Sequence, residues 1–133
     1  MTKLFLSILL VDDDEDDKLL FFDALAEIDG RIQCEYFNHG EQALKWLSAI
    51  KDLPNYIFLD LNMPRMNGIE ILKAVKSDLR TADIPVIIYS TSHNQQHREE
   101  AKRLGASWYI VKPYRLEDLK KEILFAIESI KPD

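Results

Sequence analysis

Five short apolar runs recur along this chain: FLSILLV (5–11), IQCEYF (32–37), YIFLDL (56–61), IPVIIYS (84–90) and WYIV (108–111). Most are apolar almost without interruption rather than at every second residue. A strand with one wet face alternates, so continuous runs mark strands covered on both faces. Between the runs lie segments of helical period: DKLLFFDALAEI (17–28), GEQALKWLSAIK (40–51), GIEILKAVKSDL (68–79), NQQHREEAKRLG (94–105) and RLEDLKKEILFAIESI (115–130). Asn38-x-x-Glu41 reads as a capping box ahead of the second, Asn67 stands before the third, and Gly105 gives the fourth a C-terminal stop. The last repeats apolar residues at 116, 119, 123, 127 and 130, one face of a helix. Strand and helix alternate five times. The fold class that follows is α/β: a parallel sheet with helices on both faces, connected right-handedly. No repeat, low-complexity segment or long linker breaks the pattern, so residues 1–133 are expected to form one domain.

A net charge of −6 argues against a nucleic-acid or anionic-membrane binder, both of which need clustered Lys and Arg. The one cysteine, Cys34, has no partner for a disulfide; within the alternating second run it reads as a small strand residue. The opening MTKLFLSILLV loosely mimics a signal peptide, but no small-residue cleavage site follows and an acidic run comes straight after it. No apolar stretch approaches the length of a membrane span, and a reducing cytoplasm is the expected setting.

In open α/β sheets, ligands bind beyond the carboxyl ends of the strands. The chemistry of this chain is therefore sought in whatever ends each run. The first ends in Asp12 and Asp13 and continues through six acids in all; the third carries Asp60; the fourth ends in Ser90 and Thr91; the fifth ends in Lys112, followed by Pro113. The second ends in Asn38 and His39, which are less obviously chemical. Three carboxylates converging on one rim repel one another, and a hard divalent cation relieves that; oxygen donors with few dedicated carboxylates suit Mg²⁺. A metal, an ammonium and a hydroxyl together receive the oxygens of a phosphoryl group, and an Asp carboxylate can itself be the nucleophile. Each residue has a plainer reading taken singly. Asp14 to Asp17 read as a solvated helix start favoured by the dipole, Asp60 as a turn residue and Lys112 as a surface lysine. The coincidence of the set at strand ends favours the chemical reading.

The same stretches carry a family resemblance that covers nearly the whole chain. ILLVDDD, FNHGEQALKWL, FLDLNMPRMNGIEILKAVK, IPVIIYSTS and GASWYIVKPY, in this order and at these intervals, resemble the receiver domain of two-component response regulators, the CheY-like family. The resemblance implies a doubly wound, flavodoxin-like sheet of strand order 2-1-3-4-5 with five helices. It implies a receiver that takes a phosphoryl group from the phosphohistidine of a sensor histidine kinase or phosphotransfer protein; with Asp133 just after the last helical segment, a stand-alone receiver without an output domain is expected. On that footing Asp60 would be the phosphoacceptor. Mg²⁺ would be held by Asp13, Asp60 and the backbone carbonyl of Asn62, with Asp12 helping through a water. Lys112 would pair with the phosphoryl oxygens and Ser90 would hydrogen-bond them. Tyr109 would be the aromatic switch, moving as Ser90 is drawn inward, and the Lys112–Pro113 peptide would be a cis candidate. Ser90 stands for the commoner threonine, Thr91 for a common alanine and Trp108 for a small or acidic residue; Asn62 and Ser92 occupy positions that tune phosphate lifetime. The output would be binding: a changed surface read by a downstream protein or a second copy across the fourth helix, fifth strand and fifth helix, where Trp108, Tyr109, Tyr114 and Phe125 fall.

Two rivals share parts of this pattern. A haloacid-dehalogenase-type phosphatase would use Asp12-x-Asp14 with Mg²⁺, but Asp16 stands where Thr or Val is usual, and no late acidic pair is present. A phosphate-independent binding module would have no use for the intact set of acids, hydroxyl and lysine. His93 and His97 have a metal-ligand spacing, yet their polar surroundings read as a solvated helix start.

Overall fold

The computed structural model describes residues 6–63 and 65–130; Phe5, where the first apolar run begins, and Pro64 of the Met-Pro pair lie outside them. Strand and helix alternate as β1 (Ser7–Val11), α1 (Glu15–Ile28), β2 (Gln33–Phe37), α2 (Gly40–Ala49), β3 (Tyr56–Leu59), α3 (Gly68–Ser77), β4 (Val86–Ser90), α4 (Gln95–Arg103), β5 (Trp108–Val111) and α5 (Leu116–Ser129). The strands form one parallel sheet in the order β2-β1-β3-β4-β5. That is the doubly wound order expected, with β3 at its centre and the change of winding direction between β1 and β3.

Burial explains why the central runs are continuously apolar. Every residue of β3 and β4 is buried, as is all of β1 after Ser7. Their side chains alternate between two cores. Leu9, Val11, Ile57, Leu59, Val86 and Ile88 pack against Ala43 and Leu47 of α2, Ile71, Leu72 and Val75 of α3, and Ala101 of α4. Ile8, Leu10, Tyr56, Phe58, Ile87 and Tyr89 pack against Phe21, Ala24 and Leu25 of α1 and Leu119, Ile123 and Ala126 of α5. β2 is an edge strand, and its alternation is the half-exposed pattern that an edge dictates: Gln33 and Glu35 are in water while Cys34, Tyr36 and Phe37 are partly covered. Burial raises the Cys34 thiol to about 12, so it stays an uncharged packing residue.

The helix boundaries follow local chemistry, with two departures from the sequence reading. Asn67 and Glu70 form a reciprocal capping box at α3. Asn94 caps α4, and Gly105 follows that helix with φ +107°, a conformation glycine adopts without strain. Asn38 and Glu41, by contrast, make no capping box. The N-cap of α2 is His39, without a side-chain bond, because the helix starts one residue later and the three-residue offset is lost. No peptide among the described residues is cis, Lys112–Pro113 included; proline lowers the trans preference without abolishing it. Among those residues no helix is long and apolar enough to cross a membrane.

Candidate functional site

The chain crosses the carboxyl end of the sheet at every strand, and backbone bonds fix the crossings to one another. Asp12 N–H donates to Phe37 O at 3.1 Å, Asp60 N–H to Val11 O at 2.9 Å and Lys112 N–H to Ser90 O at 2.8 Å. Asp12, Asp60, Ser90 and Lys112 are therefore held at one rim by the ladder itself. Gly68 sets the depth of Asp60. A Cβ there would lie 2.2 Å from the Asp60 carbonyl oxygen and 2.7 Å from Leu61 Cα, so only glycine lets α3 start this close to the end of β3.

Asp12, Asp60 and Lys112 are all buried, whereas Asp13 is exposed. One oxygen each from Asp12, Asp13 and Asp60 lies within 4.8 Å of the others, the one such cluster among the described residues. Asp12 Oδ1 accepts from Asp14 N–H at 2.9 Å, and Asp60 Oδ1 accepts from Asn62 N–H at 3.2 Å. The second oxygen of Asp12 lies 2.8 Å from the Lys112 ammonium but out of line for a hydrogen bond, and so is buried without a hydrogen-bond partner. Hard oxygen donors and an excess of carboxylate charge over the one ammonium are what a small dication fits.

The electrostatics show how crowded the site is. Burial raises the Asp12 carboxyl to about 6, only partly offset by the nearby ammonium. Asp60 is raised for the same reason, with the charge of Asp13 adding to it against the pull of Lys112. Lys112 moves the other way. Burial alone would lower it, but the carboxylates of Asp12 and Asp17 beside it raise it above the ordinary lysine range, so its ammonium is permanent. Its Nζ lies 2.7 Å from Asp17 Oδ2, 2.8 Å from Asp12 Oδ2 and 3.3 Å from Asp60 Oδ2, and 5.1 Å from the centre of the Tyr89 ring.

Asp17 is the member that sequence reasoning passed over, as one more acid of a solvated helix start. Its signal was spacing: 17, 21, 24 and 28 follow one face of α1, and Phe21 and Ala24 on that face are buried against the sheet. Asp14 fits the solvated reading, since it is exposed and its side chain caps α1 by accepting from Asp17 N–H at 3.0 Å. It is thus engaged at the helix end, away from the paired role that a dehalogenase pattern would give it.

The hydroxyl of Ser90, at the end of β4, is buried and accepts from Ser92 N–H at 3.2 Å. Tyr109 is half-buried on β5; its hydroxyl donates to Ser92 O at 3.0 Å, and Arg98 covers its ring at 4.9 Å. Ser90 and Tyr109 therefore meet through one loop, the β4–α4 connection. His93 and His97 are exposed as expected, although His97 Nδ1 shares a 2.7 Å bond with Ser92 Oγ. Beyond Tyr109 a groove of about 630 Å³ runs between β5 and α5, lined by Arg98, Trp108, Tyr109, Val111, Lys121, Glu122 and Phe125. Phe125 is 60% exposed and Tyr114 97% exposed.

A family model described as the response regulator receiver domain matches residues 8–124 of the chain. A probable chemotaxis protein CheY of Rhizobium etli is 31% identical over 127 residues, covering 95% of each chain. Among solved structures, the phosphorylated cyanobacterial phytochrome response regulator RcpA superposes with a TM-score of 0.86 at 29% identity, covering 96% of this chain and 97% of that one. The Mn²⁺-bound form of the response regulator Rcp1 gives 0.83 at 29% identity, with 96% and 98% covered.

Proposed function

The chain belongs to the response regulator receiver family, and from that premise we propose that it takes a phosphoryl group onto Asp60 in a Mg²⁺-dependent reaction. The observation that carries the reading is the convergence of Asp12, Asp13 and Asp60 within 4.8 Å beside the buried ammonium of Lys112. The donor is the phosphohistidine of another protein, a sensor kinase or phosphotransfer protein. An Asp60 carboxylate oxygen bonds to phosphorus as the bond from phosphorus to the donor imidazole nitrogen breaks, and the imidazole departs. Asp13, Asp60 and the Asn62 carbonyl would hold Mg²⁺, with Asp12 helping through a water, and the ion would supply positive charge to the transferring group. Lys112 pairs with a phosphoryl oxygen and Ser90 donates its hydroxyl to another. Exposure of Asp13 leaves the rim open to a docked donor, while burial of Asp60 keeps water off the carboxyl that must react. The Mn²⁺-bound relative supports a divalent ion in this fold.

The loop shared by Ser90 and Tyr109 supports a route for the signal. Movement of Ser90 toward the phosphoryl group draws on Ser92, the residue to which the Tyr109 hydroxyl is bonded. Tyr109 lines the groove between β5 and α5, so the surface of α4, β5 and α5 is where a target protein or a second copy reads the state. The expected setting is the cytoplasm.

Incubation with acetyl phosphate, followed by intact mass, tests the assignment. Wild type gains one phosphoryl group with Mg²⁺ and none with chelator, and Asp60→Asn gains none. Labelling that survives in Asp60→Asn, mapped by peptide mass to none of the neighbouring hydroxyls, removes Asp60 from the reaction.

A further inference from the structure

Lys112 has more carboxylates around it than one ammonium needs, and the closest is not part of the acidic cluster. Asp17 Oδ2 is 2.7 Å away and aligned as an acceptor, whereas Asp60 Oδ2 is aligned but 3.3 Å away. Asp17 comes from the first turn of α1, reaching the ammonium from the face of the sheet that Tyr89 floors. Tyr89 is fully buried and its hydroxyl has no hydrogen-bond partner, so the floor beneath the ammonium competes for none of its protons.

We propose that Asp17 is a positioning residue for Lys112, holding its ammonium on the α1 side of the pocket and limiting the positive charge that reaches Asp12, Asp13 and Asp60. This rests on the reading of that cluster as a Mg²⁺ and phosphoryl site. A dication and an ammonium compete for the oxygens of Asp12 and Asp60. Asp17 stands outside the triad, so it keeps Lys112 paired when those oxygens turn to metal. Loss of its charge frees the ammonium to close on Asp12 and Asp60, which repels the cation. The same loss lets Lys112 move wholly to an incoming anion and removes one negative charge that the anion must approach. The two ligands of the site therefore respond to Asp17 with opposite signs.

Titration calorimetry on Asp17→Asn measures both. The side chain of Asp17 is no cap of α1, since only its backbone N–H takes part in the Asp14 cap, so the helix start survives the change. The expected result is a Mg²⁺ dissociation constant raised about tenfold and, at saturating Mg²⁺, a tighter affinity for beryllofluoride. Asp16→Asn, the exposed neighbour on the same turn, leaves both within about twofold of wild type, because solvent screens its charge. A purely structural role for Asp17 would weaken both ligands together, and that outcome overturns the proposal, as does an unchanged Mg²⁺ affinity. Wild-type protein that binds no Mg²⁺ at millimolar concentration overturns instead the reading of the cluster on which the proposal stands.

Discussion

Asp12 dominates the pocket before any cation arrives, because it is a fully buried carboxyl held up at about 6 chiefly by lost hydration. Between its unfolded value near 4 and that native value, the folded chain binds more protons than the unfolded one. Stability must then rise as pH falls through that window. Asp60 is shifted in the same direction and adds to the trend. Asp29, lowered to about 2 by Arg31, acts only below the window. In the presence of chelator the melting midpoint is expected to be higher at pH 5 than at pH 7, by roughly 3 °C. Asp12→Asn should flatten that slope and raise the pH 7 midpoint, since the amide keeps an acceptor for Asp14 N–H while shedding the buried charge. A midpoint that falls from pH 7 to pH 5 in wild type would show that desolvation does not control this pocket. Residues of this kind were legible because each ends a strand, and strand ends of a parallel sheet share a rim. Asp17 was not, because its partner lies 95 positions away and an acid in a first turn already has a sufficient local reason to be there.

At the scale of elements, the strands were readable from continuity of apolar residues and one edge from its loss, as β2 shows with exposed Gln33 and Glu35, whereas β5 at the other edge is the unbroken run WYIV. Helix starts were less so, because a cap depends on a single residue of offset; Asn67 and Glu70 keep it and Asn38 and Glu41 do not. What no pattern disclosed is how tightly elements meet. Lys76, on α3, donates to Ala82 O at 2.9 Å and Ile84 O at 2.8 Å, closing the connection into β4. Gly68 lets that helix touch the backbone of Asp60, and this contact carries the second prediction. Gly68→Ala puts a methyl group against backbone atoms that cannot rotate away, so α3 must retreat or Asp60 must shift. The expected cost in urea unfolding is about 2–3 kcal/mol, accompanied by loss of Mg²⁺-dependent labelling. A variant as stable and as readily labelled as wild type would show that α3 backs away freely.

On the scale of the whole molecule, the sheet puts charge at one rim and aromatic surface at one edge. Trp108 on β5 and Phe125 on α5 meet at a tilt, ring centres 5.4 Å apart, beside the groove, leaving apolar area in water that a partner can cover. Light scattering with and without beryllofluoride tests this face. Self-association, or binding of a cognate partner, should strengthen with the mimic in wild type and lose that response in the double variant Trp108→Ala, Phe125→Ala. A response that persists in the double variant moves the output to another surface. The placement of Lys112 has one more consequence, which concerns time. Its ammonium meets acids that precede it by 95 and 52 positions, and a ribosome delivers the chain from the N-terminus. The acids emerge first and wait, repelling one another, for the strand that brings their counter-charge. A half-made chain therefore carries the acids without their counter-charge, and the last strand to arrive both completes the edge of the sheet and neutralises the rim.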